Sequence, residues 1–161
     1  YGVVTVIGRK NNNLGDLYSE DLLLPSDNDK ALQYYQTAAD LGEPRNNWLG
    51  YLYDLKGDHE RALKYYQLGA DEGIDVSAYN LGIFYLNGLG TSKNVTKAIE
   101  NFKLSLDRGY QQAHIDLGLI YQNETGFKDK LKVQQHIDAA KAAGLEIPED
   151  LVVKKKGWFG F

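Results

Sequence analysis

Three histidines, His59, His114 and His136, and no cysteine or methionine leave this 161-residue chain few groups for nucleophilic, redox or metal chemistry. Thiol catalysis, disulfides and thiolate metal sites are excluded by composition. His59 falls in the first turn of a helical pattern, His114 near the start of another, and His136 where other repeats carry Tyr65 or Asn101. No spacing joins them to Ser and Asp as a proton relay, and no glycine-rich phosphate loop occurs. Structural roles, each apart from the others, are expected. Asp27 and Asp29 open like a calcium loop, but the central Gly and distal Glu of such a loop are missing, and helix capping is the better reading. No catalytic residue, cofactor or metal ligand is assigned, so the chemistry that remains is non-covalent recognition.

The charge balance narrows the partner. Eighteen Lys and Arg stand against 22 Asp and Glu, interspersed, for a net charge of -4, which does not suit a general nucleic-acid binder or a membrane-surface protein. No apolar run reaches the roughly 18 to 20 residues of a membrane-spanning helix, and no secretory leader stands at the front. The chain begins at Tyr1 rather than Met, the mark of a processed or trimmed chain. The compartment stays open, with bacterial periplasm and cytoplasm both in keeping with the composition. Two glycosylation sequons, at Asn94 and Asn123, fall between helices, and Asn94 is better explained as a cap.

What positions any binding residue is a repeat. Leu-Gly-x-x-Tyr occurs at Leu14–Tyr18, Leu49–Tyr53, Leu81–Tyr85 and Leu117–Tyr121, with the Gly residues 35, 32 and 36 positions apart. A period of that size signals two-helix units that stack into one continuous core. Leu and Tyr, four residues apart, share one face of a first helix. The Gly costs about 1 kcal/mol against Ala inside a helix, so its recurrence implies close approach of the second helix.

The second helices align as Lys30–Tyr35, Arg61–Tyr66, Lys97–Phe102 and Lys132–Ile137, with small-then-large pairs Ala31/Tyr35, Ala62/Tyr66, Ala98/Phe102 and Val133/Ile137. Asp27, Asp58, Asn94 and Asp129 precede the small residues by four positions and are expected to cap the free first-turn amides. Gly42, Gly73, Gly109 and Gly144 are the expected left-handed stops. From Tyr to cap the connection is nine residues in the first and third units, eight in the fourth and five in the second, predicting a tighter turn and a local change of superhelix there.

The third unit, Ala78-Tyr79-Asn80-Leu81-Gly82-Ile83-Phe84-Tyr85-Leu86-Asn87-Gly88-Leu89-Gly90 followed by Asn94 and Lys97-Ala98, resembles the Sel-1-like repeat (SLR), a relative of the tetratricopeptide repeat. The second unit has a connection of plain tetratricopeptide length. The fourth departs with Val133 and Gln135-His136-Ile137, where the pattern prefers Ala and an aromatic pair. The resemblance covers roughly residues 11 to 145. It implies an all-α, right-handed αα solenoid of about four units (11–44, 45–75, 76–110, 111–145) that scaffolds protein complexes.

The ends are read separately. Residues 1–8 are β-branched and Gly-flanked and suit an extended segment, or the remainder of a preceding unit. Residues 148–157 read as a capping helix, with Pro and acids first, lysines last and Gly157 as stop, before an aromatic tail of Trp158, Phe159 and Phe161; cap and tail together occupy 146–161.

In such a solenoid the first helices line the concave face. Offsets of minus two and plus two from the repeat Leu then point into the groove: Asn12 and Asp16, Asn47 and Tyr51, Tyr79 and Ile83, Ile115 and Leu119, a row running from polar to apolar. The chain is therefore read as a non-enzymatic interaction module that holds a protein or peptide there. A bacterial envelope adaptor and an immunity protein that neutralises a toxin are the roles the resemblance suggests. An enzyme or ligand-binding protein with a site in the groove is the second class, and a structural spacer the third.

Overall fold

The computed structural model describes residues 27–152, and among them there are seven helices and no strand. They are α1 (Asn28–Asp40), α2 (Asn46–Leu55), α3 (His59–Asp71), α4 (Asp75–Asn87), α5 (Val95–Asp107), α6 (Ala113–Asn123) and α7 (Lys130–Ala142). Each of α2/α3, α4/α5 and α6/α7 packs as a pair, and α1/α2, α3/α4 and α5/α6 make the contacts between successive pairs. The segment at 1–8 expected to be extended, the expected first helix of the first unit, and the Lys run and aromatic residues beyond Val152 lie outside the described residues.

Both ends of the second helices follow the sequence. Asp27, Asp58 and Asn94 accept from the backbone amides of Lys30, Arg61 and Lys97, and Asp129 accepts from Leu131 and Lys132. These backbone amides hold the carboxyl groups of Asp27, Asp58 and Asp129 below the usual range, against the opposing effect of burial. At the other end Gly42, Gly73, Gly109 and Gly144 take φ of 83°, 92°, 101° and 77°. The next residue's amide then returns to the carbonyl five positions back, as in Ile74 N to Gly69 O (3.0 Å) and Tyr110 N to Ser105 O (3.1 Å).

Connections of different length share one hydrogen bond at the start of the second helix. In each complete pair the cap residue's amide donates to the carbonyl of the repeat Tyr: Asp58 to Tyr53 at 2.9 Å, Asn94 to Tyr85 at 2.7 Å and Asp129 to Tyr121 at 2.9 Å. The short and long connections therefore begin their second helices from the same anchor, and the extra residues of the third unit form a side loop. Gly90 of that loop lies so close to the chain at His59 that an added Cβ would sit 2.4 Å from the His59 carbonyl oxygen.

The repeat Gly permits the expected close approach. A Cβ on Gly50 would lie 2.6 Å from the Tyr66 ring, and one on Gly82 would lie 2.7 Å from the Phe102 ring. The fourth unit has Ile137 at the equivalent position, too small to reach Gly118, and Leu151 covers that glycine instead, at 3.1 Å from the same added atom. This corrects the expected capping helix in its described part. Residues 148–152 form a turn followed by irregular chain, with Leu151 buried and Gln122 holding both Asp150 O (2.6 Å) and Val152 N (3.0 Å).

The core is also divided more than expected. One cluster joins Tyr35, Leu49, Tyr66, Leu81 and Phe84, and the other joins Phe102, Leu117, Ile120, Ile137 and Leu151. Tyr85 packs against both clusters and stays half-buried, with the Lys97 ammonium 5.0 Å from its ring centre.

Candidate partner-binding groove

The first helices α2 and α4 leave between them an open groove of about 430 Å³, lined by Asn47, Trp48, Tyr51, Val76 and Asn80. Its wall is set by the preceding second helix. Tyr35 of α1, fully buried, stacks under Trp48 with centroids 6.3 Å apart and planes at 11°. Tyr51, one turn further along α2, meets Trp48 edge-on at 5.9 Å and 79° and stays 44% exposed. Two fixed rings give a large contact area at little entropic cost, and the carboxamides of Asn47 and Asn80 add donors and acceptors. None of the lining side chains is charged.

Of the residues expected in the groove, Asn47 and Tyr51 line this cavity, while Asn12 and Asp16 lie outside the described residues. Tyr79 is half-buried, and its hydroxyl donates to Asp116 Oδ2 at 2.9 Å. Its ring tilts against Phe102 at 5.5 Å and Tyr110 at 4.8 Å. Burial raises the Tyr79 hydroxyl well above its ordinary value, with the Asp116 carboxylate adding to the effect. Burial likewise raises Asp116, opposed by the hydrogen bond from Tyr79.

Ile115 corrects the expected exposure. It is 6% exposed and belongs to the core cluster, against which Tyr79, Ile83 and Leu119 pack as half-buried neighbours. Of the apolar end of the expected row, Ile83 and Leu119 stay half-buried while Ile115 is withdrawn into the core.

Trp48, Asn80 and Asp116 occupy one position in three repeats, immediately before the repeat Leu, and the offset rule passed over them. The signal was available. That position lies three residues before the plus-two position, one turn away on the same helix face. Tyr110 lies in the connection before α6, where helical offsets carry no information.

The histidines depart from expectation in one respect. His59 Nδ1 is 3.0 Å from Asp54 Oδ1, and its ring meets Phe84 edge-on at 5.9 Å. His114 and His136, expected to stand apart, are brought together in the fourth unit with their Nδ1 atoms 2.9 Å apart. Tyr121 stacks on His136 at 5.7 Å and 8°. Burial lowers both imidazoles, His136 to about 4 with His114, Lys103 and Lys132 contributing. Among the described residues no group of three or more His, Asp or Glu could hold a metal ion, and no helix is long and apolar enough to cross a membrane.

Comparison with known proteins places these features in a context. The family model described as Sel1 repeat matches residues 11–43, 46–74 and 75–110. No curated protein matches the sequence. Among solved structures, a Sel1 repeat protein from Oxalobacter formigenes superposes with a TM-score of 0.70 at 29% identity, over 84% of this chain and 58% of that one. A protective antigen with an SLR fold from uropathogenic Escherichia coli gives 0.76 at 24% identity, over 86% of this chain and 31% of that one. A Pseudomonas aeruginosa protein gives 0.51 at 20% identity, over 84% and 68%. The chain thus spans little more than half of the first of these proteins and a third or less of the second.

Proposed function

The chain belongs to the Sel1 repeat family, and from that premise we propose that it is a non-enzymatic interaction module that holds a protein or peptide in the groove of its first helices. Sel1 repeats typically serve protein–protein interaction. The observation that carries the reading is the aromatic corner of Trp48 and Tyr51, open to solvent yet held from behind by Tyr35. Interface energy concentrates in such anchors, where a few rigid aromatic contacts exclude water. Asn47 and Asn80 suit the amide groups of an extended segment. Tyr79, Ile83 and Leu119 continue the surface as half-buried contacts, and Ile115 supports it from beneath.

Envelope adaptor and toxin-neutralising immunity protein are the two roles that suit a small groove-bearing module of this family. Both need a protein partner and no chemistry from the module itself.

The test is capture of partners from the source organism with the wild-type chain and with Trp48→Ala and Tyr51→Ala, each first shown to be folded by circular dichroism. A partner retained by wild type and lost by both variants supports the groove. Retention by both, at unchanged affinity in calorimetry, moves the site elsewhere.

A further inference from the structure

We propose that the junction of the third and fourth repeats, where Tyr79, Tyr110 and Asp116 meet, receives a cationic side chain, arginine or lysine, carried by the segment that occupies the groove. The proposal rests on the peptide-groove reading and adds the chemistry of one position in its ligand.

Asp116 stands at the repeat position that Trp48 and Asn80 hold in the two preceding units, and both of those line the groove. The register of the repeat therefore directs the Asp116 carboxylate along the same surface. One of its oxygens accepts from Tyr79, at 2.9 Å. Among the described residues no Lys, Arg or His forms an ion pair with it. Arg108, the nearest cation in sequence, is engaged elsewhere, its Nη1 donating to the Ala70 carbonyl at 2.8 Å. A half-buried carboxylate held only by neutral donors, the Tyr79 hydroxyl and its own backbone amide, has surrendered hydration without gaining a counter-charge, so an incoming cation finds an acceptor already partly stripped of water.

The aromatic neighbourhood favours the same ligand. Tyr79, which holds the carboxylate, packs against Tyr110 with centroids 4.8 Å apart at 47°, and both rings keep part of their surface in solvent, where a tyrosine ring attracts a guanidinium or ammonium group. Arginine suits the place better than lysine, because its planar fork can meet the carboxylate and a ring together. At the other end of the groove the uncharged corner of Trp48 and Tyr51 takes an apolar side chain. With first helices spaced about 10 Å apart, the two positions are separated by about 20 Å, the span of roughly six extended residues.

The cation subsite is tested without the natural partner, using N-acetyl-arginine methylamide and its uncharged isostere N-acetyl-citrulline methylamide as probes in ¹H–¹⁵N shift titrations. Saturable shifts centred on Tyr79, Tyr110 and Asp116 are expected with the arginine probe, and binding about tenfold weaker with citrulline, equivalent to about 1.4 kcal/mol. Asp116→Asn, which keeps an acceptor for Tyr79, should bring the arginine probe down to the citrulline level. Tyr79→Phe, which keeps the ring, should retain the arginine preference. No localised shifts, equal binding of the two probes, or an undiminished preference in Asp116→Asn would overturn the subsite. The groove reading is judged apart from it: a captured partner that requires Trp48 yet ignores Asp116→Asn leaves the groove standing and removes the cation site.

Discussion

His114 and His136 approach each other through their Nδ1 atoms at 2.9 Å, a contact that one neutral tautomer can make by donating to the other and that two imidazolium rings cannot. Lys103 of α5 and Lys132 of α7 add positive potential around His136, while the flat face of Tyr121 on α6 covers its ring. The folded protein therefore disfavours the charged form. His136 is pushed down to about 4 from the ordinary histidine value of 6.5, so between those values the unfolded chain binds more protons than the folded one.

Stability contributed by the pair should be fully present above about pH 6.5 and decline as the pH falls toward 4. Because the rings are only half-buried, solvent screening reduces the effect to about 1 to 2 kcal/mol. Urea unfolding at pH 7.0 and 4.5, with and without His136→Gln, measures it. A variant that loses as much stability on acidification as wild type would remove the pair as the cause. The capping carboxylates Asp27, Asp58 and Asp129 are held below the ordinary aspartate value of 3.8, so their contribution is lost in a lower window.

Gly82→Ala should destabilise the chain although Ala is the better helix former. The added methyl meets the buried Phe102 ring at 2.7 Å, and overpacking of that kind costs about 1 to 3 kcal/mol against a propensity gain of about 1. Phe102→Leu in the same chain should recover part of the loss, and chemical denaturation of the single and double variants reads the coupling. Additive effects would show that the two residues do not press on each other.

Phe102→Ala should cost about 3 to 5 kcal/mol, because the ring is completely buried and the cavity cannot collapse against a repeat Gly. Tyr85→Ala should cost about half as much, since Tyr85 is half-buried at the seam of the two clusters. Equal losses in urea unfolding would count against a divided core.

Leu151→Ala should cost about 2 kcal/mol and loosen the end of the stack first. Hydrogen exchange should show the amides of α6 and α7 losing protection while those of α2 and α3 keep theirs. Uniform loss across the helices would mean that Leu151 does not act locally on Gly118.

The helix frame was legible because it rests on local chemistry. Asp58 at a helix start and Gly73 at its end act within a turn of themselves, and the recurrence of Leu, Gly and Tyr marks an inward face whatever lies opposite. The groove was legible in part. Asn47 and Tyr51 follow from helical offset, and Trp48 and Asn80, three residues before the plus-two position on the same face, follow from the same period once the stripe is taken one position wider. Ile115 was misread because an offset gives a direction on one helix and cannot say whether another cluster already fills that direction.

The sequence by itself determined the helices, their caps and stops, the small-and-large pairing and the kind of stack they build, since each depends on residues within a turn or on a period that repeats. Only the tertiary structure decided that Tyr35 supports Trp48, that Tyr79 engages Asp116, that His114 meets His136 and that Leu151 replaces an aromatic ring over Gly118. Those contacts join residues 13 to 37 positions apart, with Leu151 33 positions beyond Gly118. They depend on how one unit is set against the next, and no helical period carries that information.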